Sequence, residues 1–386
     1  MARLGDLCDI LNGYAFKSEQ YVDSGIRIIR IANVQKGYIE DSTPVFYPID
    51  DNEYKKYKLM EGDLLLSLTG NVGRVALLQK EFLPAALNQR VACLRIKDET
   101  TLSKSFLFNF LNSDYFENKC IESAKGVAQK NMSTEWLKEY EIPLFSMETQ
   151  EKISNELDKI SNLISLRKQQ LSKLDELVKS RFVELFGDVT SNPNGYPVKN
   201  FEEISVLITD GEHATPRRTE YGIYLLSARN ILNHALQLDD VDYIDEEEYS
   251  RIARRVIPQA GDVLISCSGS IGRCCVVPNG LRFQMVRSAA LIRFDNTINP
   301  AFAEWLITSD DLQQQIAQSA TQSSQANLFQ GKIRKLHGYV PPIELQNQFA
   351  AFVEQTDKSK FEIQKSLEKL ETLKKALMQK YFGANI

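Results

Sequence analysis

Basic and amide-bearing side chains recur near the turns of this sequence, and these residue types bind phosphates and base edges. Arginine and lysine reach phosphates or guanine, while asparagine and glutamine can pair bidentately with adenine. The candidates in the first half are Lys17, Arg30, Asn33, Arg74, Lys125, Gln129, Lys130 and Asn131. The candidates in the second half are His213, Thr215, Arg217, Arg218, Arg229, Asn230, Arg273, Gln322, Gln325 and Asn327. The pattern predicts a nucleic-acid interface, and a solvated loop is the alternative for each position.

Residues that could catalyse a reaction lack the spacing of a familiar active site. The chain has no G-x-x-x-x-G-K-[ST] phosphate loop, no H-E-x-x-H and no G-x-S-x-G motif. Asn192-Pro193-Asn194-Gly195 resembles an amino-methyltransferase signature only superficially and predicts a turn. The six cysteines and three histidines make no zinc spacing, and His213 has no second ligand near it. We therefore expect no catalytic residue, metal or cofactor in this chain.

The two halves of the chain repeat one another. Gly62-Asp63-Leu64-Leu65-Leu66-Ser67, followed by Gly70, Gly73 and Arg74, recurs 199 residues later as Gly261-Asp262-Val263-Leu264-Ile265-Ser266, followed by Gly269, Gly272 and Arg273. Other matches keep the same order, among them Gln150 with Gln348. The period is far longer than that of a solenoid, so we predict a duplicated domain pair. The glycine pairs predict tight hairpins, and Asp63 and Asp262 predict turn caps.

Composition is that of an ordinary globular protein, with 43% hydrophobic and 25% charged residues. No apolar run reaches the ~18–20 residues that a membrane span needs, and the first residues form no signal-peptide core, so we expect a cytoplasmic protein. The net charge of −5 weakens a nucleic-acid interpretation, but a local basic face can coexist with an acidic remainder.

Short β-rich runs and turns fill the first part of each half and predict an α+β domain with an irregular sheet. The predicted strands are Gly25–Val34, Asp63–Leu68, Val75–Leu78 and Val91–Ile96, then Tyr224–Ile231, Asp262–Ser266, Cys274–Val277 and Ala289–Phe294. A predicted amphipathic helix follows in each half, over Ser105–Phe116 and Ala301–Ile316.

Each half ends in one long predicted helix with a coiled-coil pattern. The apolar positions run from Ile153 to Leu185 and from Phe349 to Tyr381 in steps of four and three, so the obvious partner of each helix is the other. Packing of each helix on its own domain alone is the alternative. The predicted boundaries are a domain over 1–146, a helix over 147–187, a linker over 188–196, a domain over 197–343 and a helix over 344–386.

This layout resembles the specificity subunit of type I restriction–modification enzymes. The resemblance rests on Leu4-Gly5-Asp6-Leu7 with Gly13–Ser18, on Thr209–Pro216, on the duplicated Gly-Asp motif, and on Gln129–Ser133 with Pro143 and Gln150. It implies two target-recognition domains, each followed by a long helix, with the two helices forming an antiparallel coiled coil of pseudo-twofold symmetry.

The resemblance also implies a non-catalytic reader of double-stranded DNA with a bipartite site. Each domain would read one half-site, and a helical rod of roughly 58 Å, about 17 base pairs, would set the unread spacer. The implied partners are two adenine-N6 methyltransferase subunits and the motor/nuclease subunits. S-adenosylmethionine, ATP and Mg²⁺ would be bound by those partners.

Three alternatives stay open at this point. The chain could be the reader of a related two-component restriction system. It could also be a coiled-coil assembly scaffold that does not bind DNA. An autonomous methyltransferase or nuclease would require activity from this chain alone.

Overall fold

The computed structural model describes residues 1–48, 54–124, 131–320 and 327–383. The chain divides into two compact units, Met1–Lys168 with Lys365–Ile386 and Gln169–Gln364. Each unit therefore contains one mixed domain and a part of both long helices, whereas the predicted boundaries assigned each helix to a segment of its own. No helix in the described part of the chain is long and apolar enough to span a membrane.

The first unit contains a four-stranded antiparallel sheet and a three-stranded mixed sheet. Its strands are β1 (Ala2–Arg3), β2 (Cys8–Asn12), β3 (Ile26–Ile29), β4 (Phe46–Tyr47), β5 (Leu64–Ser67), β6 (Val75–Leu77), β7 (Ala85–Leu87), β8 (Val91–Ile96) and β9 (Glu141–Ile142). The sheet orders are β2-β8-β5-β6 and β4-β3-β7, and β1 pairs with β9. The helices that begin in this unit are α1 (Leu4–Leu7), α2 (Lys104–Leu111), α3 (Asp114–Ser123), α4 (Thr134–Glu139) and α5 (Met147–Phe186).

The second unit repeats this arrangement. Its strands are β10 (Val198–Asn200), β11 (Ser205–Asp210), β12 (Ile223–Leu226), β13 (Ile231–Leu232), β14 (Ala235–Leu236), β15 (Asp242–Ile244), β16 (Val263–Ser266), β17 (Cys274–Val276), β18 (Phe283–Met285), β19 (Ala289–Phe294) and β20 (His337–Tyr339). Its helices are α6 (Glu246–Ala253), α7 (Pro300–Ile307), α8 (Asp310–Ala320), α9 (Gln330–Ile333) and α10 (Ile343–Phe382). The orders β11-β19-β16-β17 and β15-β12-β18 match those of the first unit, which confirms the duplicated α+β fold.

The apolar run that follows Gly-Asp in each half forms a strand whose two faces are both covered by hydrophobic side chains. Leu64 and Leu66 of β5 pack into one hydrophobic cluster, while Leu65 packs into another. Successive side chains of a strand point to opposite faces, so an uninterrupted apolar run needs a layer on each side. In the second unit Leu264 likewise faces a different cluster from that of its neighbours on β16.

Two predicted helices and two predicted strands end earlier than the sequence pattern suggested. The predicted helix over Ser105–Phe116 is two helices, because the Ser113 side chain accepts a hydrogen bond from Phe116 N and starts a new helix. The predicted helix over Ala301–Ile316 breaks in the same way at Ser309. The predicted strands Gly25–Val34 and Tyr224–Ile231 each end in a 3₁₀ turn.

The long helices pack antiparallel inside each unit. In the first unit Glu156 of α5 accepts a hydrogen bond from Tyr381 of α10 at 2.6 Å, and Lys168 pairs with Glu371 at 3.1 Å. In the second unit Phe182 of α5 meets Phe349 of α10 with ring centroids 5.3 Å apart. The predicted apolar stripes of both helices are buried or half-buried, as helix pairing requires.

A glutamine fixes the first turn of each long helix to its domain. Gln150 is fully buried; its Nε2 donates to Thr101 O at 3.0 Å and Phe145 O at 2.8 Å, and its Oε1 accepts from Ser103 N at 2.9 Å. Gln346 makes the same three bonds in the second unit. The structural counterpart of Gln150 is thus Gln346, which corrects the pairing with Gln348.

Candidate nucleic-acid interface

The repeated aspartates brace the hairpins instead of performing chemistry. Asp63 is buried, accepts a hydrogen bond from Met60 N at 2.8 Å, and accepts two more from Nε and Nη2 of Arg95 at 2.8 and 2.7 Å. Asp262 makes the equivalent bonds with Gln259 N and Arg293. The predicted turn caps are therefore confirmed, and each carboxylate is fully engaged by its own unit.

The serine that ends each motif shapes the tip of the following hairpin. Ser67 Oγ accepts a hydrogen bond from Arg74 N at 3.0 Å and donates to Asn71 O. Ser266 Oγ accepts from Arg273 N at 3.0 Å and donates to Ser270 O. Because β5 and β6 pair antiparallel around this turn, the hairpin prediction is confirmed. The tip presents exposed backbone and polar side chains at one edge of the sheet.

Three further segments lie beside the hairpin tip in the first unit. A parallel bridge joins Tyr14 to Asn88, and Gln89 N donates to Tyr14 O at 2.9 Å. Leu68 N at the tip donates to Arg90 O at 3.0 Å, and Thr69 is bridged to Asn131. The loops 13–17 and 88–90, the tip 68–74 and the segment 131–132 therefore form one continuous rim, which we call the first rim.

The second unit builds a matching rim from loops 210–213 and 286–288, tip 267–273 and segment 327–330. Glu212 N donates to Met285 O at 2.8 Å, and Arg287 N donates to Glu212 O at 3.0 Å. Cys267 N donates to Ser288 O at 2.7 Å, and Leu328 N donates to Cys267 O at 2.9 Å. We call this edge the second rim. Two unrelated loops would not share these bonds, so the rims are duplicated structures.

Several predicted residues lie on the rims. Lys17 and Asn131 are exposed on the first rim, and Arg74 is half-buried there with its guanidinium bonded to Gln35. On the second rim His213 is exposed, whereas Arg273 and Asn327 are half-buried. Thr215 follows the second rim and is exposed. The predictions Lys125, Gln129, Lys130, Gln322 and Gln325 lie outside the described residues.

Asn33 and Asn230 are structural residues, which corrects their selection as base-reading amides. Asn33 Nδ2 donates to Glu40 O at 2.8 Å, and its Oδ1 accepts from Arg30 N at 2.9 Å. Asn230 is equally buried and makes the equivalent bonds. A buried amide whose groups already have partners cannot pair with a base edge. Arg30 itself is half-buried and donates to Thr43 O at 2.9 Å.

Three predicted arginines of the second unit are held by carboxylates. Arg217 pairs with both Asp245 and Glu247 at 2.8 Å. Arg218 and Arg229 share Asp242, at 2.9 and 3.0 Å. DNA phosphates would have to compete with these acidic neighbours, so Arg217, Arg218 and Arg229 are weaker candidates in the folded chain than in the sequence.

Asp210 holds the second rim together through a shared carboxylate. It accepts hydrogen bonds from Gln330 Nε2 at 2.9 Å and from Arg255, and it lies 2.8 Å from His213 Nε2. Partial burial alone would raise the pKa of Asp210, but the hydrogen bond with His213 and the charge of Arg255 outweigh it and lower that pKa. The carboxylate is therefore charged at neutral pH and orders the loop that carries His213.

Two exposed arginines on the rims are absent from the sequence-based selection. Arg90 lies on the first rim and Arg287 on the second, and neither makes an ion pair with another described residue. The repeat did not reveal them, because the register that aligns Arg95 with Arg293 puts Arg287 opposite Gln89 and not opposite Arg90. Unpaired guanidinium groups beside a hairpin tip are suited to phosphate or guanine contact.

The cysteines do not supply a nucleophile. All six are buried. Burial raises the pKa of Cys8, Cys267 and Cys275 to about 12, so these thiols stay protonated near neutral pH. Among the described residues no group of three His, Cys, Asp or Glu side chains is arranged to hold a metal ion.

Comparison with known proteins agrees with the geometry. Residues 1–176 match the family model described as "Type I restriction modification DNA specificity domain". The type I restriction enzyme MjaVIII specificity subunit of Methanocaldococcus jannaschii is 30% identical over 184 residues, 46% of this chain and 43% of that subunit. The EcoBI specificity subunit of Escherichia coli is 22% identical over 417 residues, 99% of this chain and 85% of that subunit.

The similarity to solved structures extends along the chain. The crystal structure of a type I restriction–modification S subunit from M. genitalium shares the fold with a TM-score of 0.62 and 16% identity, over 99% of this chain and 95% of that one. In two relatives that are at least 30% identical, the match spans 43% and 30% of the relative's length, so the chain aligns with less than half of either. The first 176 residues of the chain are similar to the specificity domain of type I restriction–modification enzymes, and the fold along the chain is similar to that of a solved S subunit.

Proposed function

We propose that this chain is the non-catalytic DNA-recognition subunit of a type I restriction–modification complex and that each unit reads one half of a bipartite site. The duplicated rim is the observation that carries the proposal. Each rim sets an exposed arginine, Arg90 or Arg287, beside a hairpin tip that is hydrogen-bonded to the neighbouring loops. Rigid loops on a sheet edge can enter a groove of DNA and hold donors against base edges.

The duplication supports a split site, because two recognition domains of the same fold in one chain would each contact a separate stretch of DNA. The unread spacer would be set by the helices α5 and α10, each 40 residues long. A helix of that length measures about 60 Å, the scale of a site with two separated halves.

The outer faces of the long helices support the docking of protein partners. Off the buried stripes, these helices expose large apolar side chains, namely Leu163, Leu166, Leu177, Val183, Phe361 and Leu373. Exposed apolar side chains on a helix are suited to contact with a protein partner. The proposed partners are two adenine-N6 methyltransferase subunits and the motor/nuclease subunits, which would supply S-adenosylmethionine, ATP and Mg²⁺ chemistry in the cytoplasm.

A salt titration of DNA binding tests the proposal. The purified complex with its methyltransferase subunit is titrated onto labelled target DNA by fluorescence anisotropy between 50 and 200 mM salt. If Arg90 or Arg287 contacts phosphate, Arg90→Gln or Arg287→Gln should reduce the slope of log affinity against log salt by about 1.

Arg282→Gln is the matched control in the second unit. The Arg282 guanidinium is held by Glu246 at 2.6 and 2.7 Å and lies over the Tyr249 ring, so its loss should leave the slope unchanged. Equal slopes for all three variants and the unmodified chain would remove the rims from the interface. A complex that assembles but binds no DNA would favour the scaffold alternative.

A further inference from the structure

A tight turn on each rim precedes strand β8 in the first unit and strand β19 in the second. Val91 N donates to Asn88 O at 3.0 Å and closes the turn over residues 88–91. In the second unit Ala289 N donates to Val286 O at 2.9 Å and closes the turn over residues 286–289. The first central residue is Gln89 in one turn and Arg287 in the other, so one position of the fold carries two different side chains.

The backbone around both turns is held by the same hydrogen bonds. Gln89 N donates to Tyr14 O at 2.9 Å. The equivalent bond of the second unit joins Arg287 N to Glu212 O at 3.0 Å. The next residue of each turn accepts a hydrogen bond from the hairpin tip, at 3.0 Å in the first unit and at 2.7 Å in the second. The two side chains therefore start from backbones that are fixed in the same way.

Both side chains are exposed and available to a ligand. Within the part of the chain that the structure describes, neither the Gln89 amide nor the Arg287 guanidinium has a hydrogen-bond or ion-pair partner. Arg217 of the second unit is different, since Asp245 and Glu247 hold its guanidinium. Contact of DNA with Gln89 or Arg287 would break no bond inside the chain.

Glutamine and arginine differ in the purine that they recognise. The amide of glutamine both donates and accepts, and it pairs with N6 and N7 of adenine. The guanidinium of arginine only donates, and it pairs with O6 and N7 of guanine. Both pairs of atoms lie on the major-groove edge of the base. At one fixed backbone position, replacement of glutamine by arginine therefore favours guanine in place of adenine.

The difference between the two turns favours contact with a base over contact with a phosphate. Phosphates are the same in every DNA sequence, so the same cation in both units would serve a phosphate contact. The hairpin tips have that pattern, with Arg74 and Arg273 at equivalent positions. The turns do not, because the first unit has an uncharged amide where the second has a cation. Base edges carry the sequence information that can differ between two half-sites.

We propose that Gln89 and Arg287 determine sequence specificity at equivalent positions of the two half-sites, where Gln89 reads an adenine and Arg287 reads a guanine in the major groove. The two half-sites then differ at this position. This inference rests on the proposed function, because it takes each unit as the reader of one half-site.

A binding assay with substituted target duplexes tests the inference. The split motif is first obtained from mapped methylated adenines, and each of its base pairs is then replaced in turn. Anisotropy titration of the purified complex with its methyltransferase subunit gives the base preference at every position. Gln89→Arg should change the preferred base from adenine to guanine at one position of one half-site. Arg287→Gln should make the opposite change in the other half-site, and each preference should shift by about tenfold.

Each substitution has a matched control outside the rims. Gln79→Arg adds the same cation at an exposed position beyond the end of β6 that lies away from the hairpin tip. Arg282→Gln removes a cation that Glu246 already holds. Both controls should leave every base preference unchanged. Gln89→Ala and Arg287→Ala should lose the preference at the same two positions, which decides the question if a longer or shorter polar side chain prevents binding.

The alanine variants also define the result that would overturn the inference. If they keep the full preference at every position, Gln89 and Arg287 do not read bases. Uniformly weaker binding of Arg287→Gln to all duplexes would likewise overturn it, because that is the behaviour of a phosphate contact. Neither result would affect the proposed function. If the complex of the unmodified chain binds all duplexes equally, the proposed function fails and the inference fails with it.

Discussion

Gly211 lies so close to the neighbouring strand that a methyl group there should separate two loops of the second rim. A Cβ at this position would lie 2.3 Å from Met285 O, and real Cβ contacts are essentially never below 3.0 Å. The loop of Gly211→Ala must therefore move away. Two bonds depend on its present position, Glu212 N to Met285 O and Arg287 N to Glu212 O.

The expected cost follows from these two bonds. Each contributes about 1 kcal/mol net, so their loss costs about 2 kcal/mol. If DNA binds only the ordered rim, this cost appears in affinity as a decrease of about 30-fold. Anisotropy titration of the assembled complex with target DNA measures the decrease. Gly13→Ala should behave similarly, since its Cβ would lie 2.1 Å from Asn88 O.

Gly331→Ala is the matched control in the same unit. Gly331 belongs to α9, next to the Gln330 that bonds Asp210, and a Cβ there meets no heavy atom within 4 Å. Its affinity should equal that of the unmodified chain. If Gly211→Ala binds DNA as tightly as Gly331→Ala does, the hydrogen-bonded second rim is not the surface that contacts DNA.

Three further predictions concern the helices. Gln150→Leu removes the partner of two carbonyls and one amide and should lower the free energy of unfolding by about 3 kcal/mol, measured in urea. An unchanged urea midpoint would contradict the bracing role of Gln150. Lys374→Met should raise the melting temperature at neutral pH, because burial lowers the pKa of Lys374 in the folded chain and so costs stability. That cost exists only where the lysine of the unfolded chain is protonated, so the gain in melting temperature should vanish above about pH 10.4. Matching seven-residue insertions in α5 and α10 should lengthen the unread spacer by about 3 base pairs, as read from methylated sites, and changed half-sites would contradict the spacer role.

Local chemistry made much of the fold predictable. The paired glycines and the Gly-Asp start of each apolar run specify a hairpin, because the positive φ angles at Gly70 and Gly73 favour glycine. The apolar stripes of the two long helices lie on one face, so burial of that face could be anticipated from spacing. These features depend on residues close to one another in the chain.

The candidate site was less predictable because its residues depend on distant partners. In the sequence Asn33 resembles a base-reading amide, but in the fold its side chain is hydrogen-bonded to Glu40 O and Arg30 N. Arg217 looks free until folding brings Asp245 and Glu247 beside it. Arg90 gave no local signal, since its position on the rim comes from the bond of its carbonyl with the hairpin tip.

In the function that we propose, this chain chooses the DNA sequence that a partner modifies. Genome-wide mapping of methylated adenines tests it most directly, in cells that express the methyltransferase subunit with and without this chain. We expect a split motif that appears only when the chain is present and that loses one half-site preference when Gly13→Ala or Gly211→Ala is introduced. A methylation pattern that is the same with and without the chain would contradict the proposed recognition role.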